Sequence, residues 1–167
     1  MGKLKALFQE YGTDCITKTL RMRVIRPVYS REVIREDMPV YIATERFTSP
    51  QQVFEMFRDL ILETREQFLC LHLNGKNKIL CLDRVSVGSL NQSVVHARDL
   101  FKSACMVSAA AVILIHNHPS GDPNPSDADI TITKRLKEAG DLLGIPVLDH
   151  IIIGDGQYVS FVEKGLL

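Results

Sequence analysis

A chain of 167 residues has room for one domain with a full hydrophobic core, and not for two ordinary ones. Hydrophobic residues make up 46% and charged residues 24%, which fits a folded globular protein and excludes a low-complexity or disordered one. The net charge is zero, so the chain as a whole offers no field to draw nucleic acid, and its longest wholly apolar stretch, 109–115, falls far short of the roughly 18–20 residues that span a bilayer.

The first third is basic. Residues 1–35 carry eight lysines and arginines against three carboxylates, a net of +5, which is a weak pointer to a phosphate-bearing partner and more simply a solvated strand face. Residues 1–14 can form a short helix, and their charged residues follow the first apolar ones too closely for a secretory leader. The chain is therefore expected in the cytoplasm. Leu20, Met22 and Val24 alternate with Arg21 and Arg23 as in a half-buried strand, which Pro27 limits to an edge or ends. A second short strand is expected over 40–43.

Ser49-Pro50-Gln51-Gln52 is a helix start, with an N-cap serine, proline at the first helical position and glutamine three residues after the cap. Val53, Phe54, Phe57, Leu60 and Ile61 then recur at helical spacing and predict a helix over about 50–63. Strands follow at 67–73 and 78–87, joined by the turn Asn74-Gly75-Lys76-Asn77. Residues 88–93 read as a loop and 97–108 as a helix burying Leu100, Phe101, Ala104 and Cys105. The run 112–115 is apolar throughout, as in a central strand covered on both faces. A Gly- and Pro-containing loop leads to a helix from Ser126 to about Leu143, closed by Gly144. Strands at 147–153 and 158–161 end the chain. The pattern predicts one α/β domain with a mixed sheet and packed helices.

Cys15, Cys70, Cys81 and Cys105 form no CxxC pair, and the last three have apolar neighbours, so buried free thiols are expected. His72, between Leu71 and Leu73, is expected on the outward face of its strand. His96 and Arg98 are expected to cap their helix, with capture of a substrate carboxylate or phosphate as the alternative. Asp149 and His150 invite a triad, but no nucleophile accompanies them, and a satisfied polar pair on a core strand is the simpler expectation.

His116 and His118 carry the chemistry. They end a buried strand two residues apart, so in extended backbone both side chains point one way with Cα atoms about 6–7 Å apart, a separation from which two imidazoles can converge on one ion. Ser126-x-x-Asp129 is first of all a capping pattern, with Asp129 favourable beside the positive end of the helix dipole. Capping does not account for two histidines at the end of the preceding strand. The Gly- and Pro-containing loop can fold the helix start back over the strand end, where α/β proteins place their sites. Asp129 would then complete a His₂-carboxylate set with an open fourth position, the arrangement of a catalytic zinc site.

His116-x-His118, seven residues, then Ser126-x-x-Asp129 resembles the JAMM motif of MPN-domain metalloproteases at every position. The wider resemblance is to the RadC branch, carried by His96-Ala97-Arg98, His116-Asn117-His118-Pro119-Ser120-Gly121, Pro125-Ser126, Leu148-Asp149-His150-Ile151-Ile152-Ile153-Gly154 and Tyr158-Val159-Ser160. It divides the chain into a short basic segment with strands, 1–46, and a RadC-like JAMM/MPN domain of JAB type, 47–167. The N-terminus shows no helix-hairpin-helix pattern, so the likeness is to a short RadC-like form, and DNA binding owed to that region is not implied.

The resemblance implies zinc (Zn2+) held by His116, His118 and Asp129, and hydrolysis of an amide or isopeptide bond in an unknown protein or peptide. It places the general base at Glu66, after the first helix and at the start of the next strand, with Glu63 the fallback. Ser126 would hydrogen-bond the oxyanion or orient the water. The alternatives are a catalytically silent MPN scaffold and a DNA-repair or mobile-element accessory protein. A HNH-type nuclease is excluded, because that family spreads its residues over a ββα unit.

Overall fold

The computed structural model describes residues 28–31, 46–47, 49–88 and 95–167. The helix expected at 1–14, the strands at 20–24 and 40–43, Cys15 and most of the loop after Gly88 lie outside the described residues.

Helix α1, Pro50–Phe57, starts as the sequence predicts: the Ser49 hydroxyl accepts from the Gln52 N–H, and Pro50 occupies the first turn. The element then tightens into a 3-10 helix, Arg58–Leu62, where one continuous helix was expected. Its apolar stripe, Val53, Phe54 and Phe57, is buried in the α part, whereas nothing in the 3-10 part is.

Strands β1, Gln67–Leu73, and β2, Ile79–Val87, form the expected hairpin. Asn74 closes its turn by accepting from the Lys76 and Lys78 N–H groups, and Asn77 adopts a left-handed φ of 58° that asparagine tolerates. Helix α2, Ala97–Met106, leads to β3, Ala111–Asn117; helix α3, Asp127–Leu143, leads to β4, Val147–Ile153; and β5, Tyr158–Ser160, turns back on β4. The sheet order is β2-β1-β3-β4-β5, antiparallel except for the β3–β4 pair, whose crossover is α3.

The sheet is covered on both faces. Phe68, Cys70, Val112 and Leu114 meet Leu100, Phe101 and Ala104 of α2 and Leu136 of α3; Leu69, Leu71, Ile113, Ile115 and Ile151 meet Val53, Phe54 and Phe57 of α1. Burying each of the Val, Leu, Ile and Phe side chains stabilises the fold by about 1.5–3 kcal/mol. This two-sided cover overturns the outward placement of His72, which is wholly buried beneath α2 with Ser103 Oγ 3.2 Å from Nε2 and Cys81 Sγ 3.5 Å from Nδ1. Alternation along a strand separates two faces, and here both are interior. Of the thiols expected to be buried, Cys70 is, whereas Cys81 is half-buried and Cys105 exposed on the outer side of α2.

The topology brings together segments distant in sequence. Because β1 runs antiparallel to β3, with Phe68 opposite His116, the start of β1 meets the end of β3. The α3 crossover brings its own N-terminus to the same edge.

Candidate metal centre

His116 is the penultimate residue of β3 and wholly buried; His118 lies just beyond the strand and is half-buried. The two Nε2 atoms are 3.0 Å apart. The intervening Asn117 is also buried: its Oδ1 accepts from the Gln67 N–H at 2.8 Å and its amide donates to the Arg65 carbonyl at 3.3 Å. Asn117 thus ties the end of β3 to the two residues flanking Glu66.

Asp129 completes the group. Its Oδ1 lies 3.2 Å from His116 Nε2 and its Oδ2 3.4 Å from His118 Nε2, and one donor atom from each of the three residues fits within 4.8 Å of the others. The predicted capping box is also present, since Ser126 accepts from the Asp129 N–H while its own N–H and hydroxyl donate to Asp129 Oδ2, both at 2.7 Å. Both readings of Ser-x-x-Asp hold together. Oδ2 serves the helix cap while also facing His118, and Oδ1, wholly buried, receives no hydrogen bond.

A buried acceptor left without a donor costs about 1–3 kcal/mol. The electrostatics mark the same point. Burial alone would raise the Asp129 carboxyl, but His116, His118 and Ser126 hold it well below the usual carboxylate range. The Asp129 carboxylate raises His118, while burial lowers His116 despite the same carboxylate. His118 Nδ1 sits 2.7 Å from the Asp122 carbonyl, which can only accept, so in the neutral ring Nδ1 carries the proton and Nε2 presents its lone pair to the cluster. The residues therefore fit a cation such as Zn2+: imidazole nitrogen and carboxylate oxygen face one another with a buried oxygen unmatched.

His118 and Asp129 of the cluster line an open cleft of about 690 Å³, together with Thr64, Glu66, Gly88 and Ser126, while His116 lies buried behind them. Glu66 is half-buried, its carbonyl accepting from the Gly88 N–H, and its charge raises both histidines. Glu63, the fallback, is exposed, follows the 3-10 helix as its cap and is not part of the cleft wall.

Other expectations change. His96 occupies the N-cap position of α2, but its side chain makes no capping bond; Arg98 is exposed beside Asp99. Asp149 and His150 are buried neighbours that serve separate networks. Asp149 accepts from the Ser160 hydroxyl and from the N–H groups of His150 and Val162. The His150 ring instead lies against the site, with Nε2 2.8 Å from His116 Nδ1 and Nδ1 2.6 Å from Thr133 Oγ1. Sequence reasoning missed Thr133 entirely. The available signal was its place one turn after Asp129, on the face that points at the sheet.

Fold and site together define a small mixed α/β domain that displays a His-x-His pair and a helix-borne aspartate at the end of its central strand. Residues 47–166 match the RadC-like JAB domain, and the chain belongs to this family. It is similar to the UPF0758 protein of Pelobacter propionicus, with 62% identity over 124 residues that cover 74% of this chain and 54% of the relative. The Geobacter sulfurreducens relative is 58% identical over 127 residues, covering 75% and 56%. That of Methanosarcina mazei is 52% identical over 123 residues, covering 73% and 54%. The chain spans about half the length of these curated relatives.

Proposed function

We propose that the chain is a zinc-dependent hydrolase of the metallopeptidase or isopeptidase type, acting on an amide bond in a protein or peptide. The observation that carries this reading is the convergence of His116, His118 and the donorless Asp129 Oδ1 beside a cleft that His118, Asp129 and Glu66 line. Membership of a JAB-domain family supports it.

His116, His118 and Asp129 would hold the ion. Bound zinc supplies Lewis acidity and lowers the pKa of its water from ~15.7 towards ~7. Glu66 would take the proton from the attacking water and return it to the leaving amine, as a general acid/base. Ser126 would turn its hydroxyl from Asp129 Oδ2 towards the cleft to donate to the oxyanion, an interaction whose loss typically costs ~10²–10³ in rate. Burial of His116 and Asp129 keeps water from competing for their lone pairs.

Elemental mass spectrometry tests the reading. About one zinc per chain is expected, lost in His118→Ala and Asp129→Ala without loss of the fold. Glu66→Gln is expected to keep the metal and to remove hydrolysis of peptide and isopeptide substrates. A protein that takes up no zinc when it is supplied would leave Ser126 and Asp129 as a helix cap and favour a silent scaffold.

The reading places the protein in the cytoplasm; among the described residues no helix is long and apolar enough to cross a membrane. An accessory role on DNA would rest on the +5 segment at 1–35, most of which lies outside the described residues. It predicts a salt-sensitive DNA affinity that deletion of 1–35 removes.

A further inference from the structure

The His150 ring is wholly buried and the reaction outlined above does not use it, yet it connects two parts of the site. It is packed against Phe161, at 4.8 Å between ring centroids, and against Phe68, at 5.4 Å; Phe68 also stacks on His116 at 5.8 Å. These aromatic walls hold the ring in place and exclude water from both its nitrogens. We propose that Thr133 and His150 form a hydrogen-bond relay that holds His116 in the tautomer whose Nε2 is free to bind a metal. This deepens the metal-site reading, on which its purpose rests.

Counting protons gives the direction of the relay. Thr133 has one hydroxyl proton, and it donates to the Asp129 carbonyl at 2.5 Å. At 2.6 Å, His150 Nδ1 must then be the donor to Thr133 Oγ1. A wholly buried His150 is neutral and has one ring proton, now placed on Nδ1, so its Nε2 can only accept. The donor 2.8 Å away is therefore His116 Nδ1–H. The neutral His116 is left with a lone pair on Nε2, the atom facing Asp129 Oδ1 at 3.2 Å. Running the relay backwards would put the His116 proton on Nε2 and block the site.

One feature agrees with the forward direction. His118 is set to the same tautomer by the Asp122 carbonyl, so both histidines present Nε2. The relay is a circuit: the Asp129 carbonyl anchors one end and the Asp129 carboxylate faces the other. Ligand histidines usually donate directly to a carboxylate or carbonyl. Here a second histidine and a threonine carry that anchoring across the gap between β3 and α3, which makes them positioning residues.

The test is long-range proton–nitrogen NMR on the full, zinc-free chain labelled with ¹⁵N-histidine, at a pH above the range in which histidines titrate. The wild type is expected to show His116 protonated on Nδ1 and bare on Nε2. Thr133→Val is expected to mix the His116 tautomers and to weaken zinc affinity by ~10–100-fold. Thr133→Ser, which restores the hydroxyl, should recover both. A wild-type His116 protonated on Nε2 overturns the relay, as does a folded Thr133→Val variant with unchanged tautomer and zinc affinity. If Thr133→Val does not fold, His150→Phe, which keeps the ring packing and removes the acceptor, must disturb the His116 tautomer, and an undisturbed one overturns the proposal. A wild type with the expected tautomer that binds no zinc would sink the hydrolase reading and leave the relay standing.

Discussion

Asp129 shows how one side chain can satisfy two demands. Its Oδ2 accepts the capping hydrogen bonds and also faces His118, while its Oδ1 faces His116 alone, and the cap and the cluster are separable by mutation. Asp129→Asn is expected to release zinc while thermal stability changes little, because the amide retains an oxygen for the cap. Ser126→Ala is expected to lower stability by about 1 kcal/mol and to leave zinc content unchanged. Metal analysis beside thermal unfolding of both variants checks the separation.

His72 supplies the pH dependence at this scale. Burial lowers its pKa, only partly opposed by Asp83, and the groups around it are Asp83 and Cys81 of β2, Cys70 of β1 and Ser103 of α2. A folded pKa below the unfolded value of about 6.5 means that the unfolded chain binds the extra proton as pH falls through that value. This contribution to stability is therefore full above about pH 6.5 and is lost below it, by up to about 1.4 kcal/mol per pH unit. The buried His150 and His116 shift the same way and the raised His118 the opposite way, so the difference between wild type and His72→Gln isolates the effect. Denaturant titrations at several pH values should show a shallower loss of stability on acidification in the variant.

Among the elements, the loop between β3 and α3 carries the precision of the site. Its His118 N–H donates to the Ile153 carbonyl, the Gly121 carbonyl accepts from Asp155, and the Asp122 carbonyl sets His118. Gly154 makes this docking possible: a Cβ there would lie 2.5 Å from the Gly121 oxygen and 2.7 Å from Pro123 Cδ. Backbone and a proline ring cannot yield cheaply, so Gly154→Ala must move the loop. The expected outcome is weaker zinc binding with secondary structure retained, read by zinc titration and circular dichroism. Unchanged affinity would show that the loop takes up the displacement without disturbing His118.

For the whole molecule, one antiparallel pairing and one crossover explain why residues 50 positions apart meet. The β1–β3 pairing carries Glu66 to the cleft and the crossover carries Asp129, while Asn117 fastens the first to the strand of the histidines. The mixed sheet and its order follow the α/β architecture expected from the alternation of strands and helices. Because helices cover both faces, a polar residue on a strand is not thereby exposed, and this is why His72 was misplaced by pattern alone.

Local chemistry was legible in the chain itself. The Ser49-Pro50 and Ser126-x-x-Asp129 starts, the Gly144 stop, the Asn74-Gly75 turn and the His116-x-His118 spacing each depend on residues within a few positions of one another, where backbone geometry leaves few choices. What only tertiary structure decided were the relations across the sheet. These are the choice of Glu66 over Glu63 for the cleft wall, the division of labour between the two oxygens of Asp129, and the placing of His150 and Thr133 behind His116. The contacts of His150 with Thr133 and His116, and of Asn117 with Arg65, join residues 17 to 52 positions apart, and no periodicity encodes them. They follow from strand register and helix packing, which the whole core sets at once.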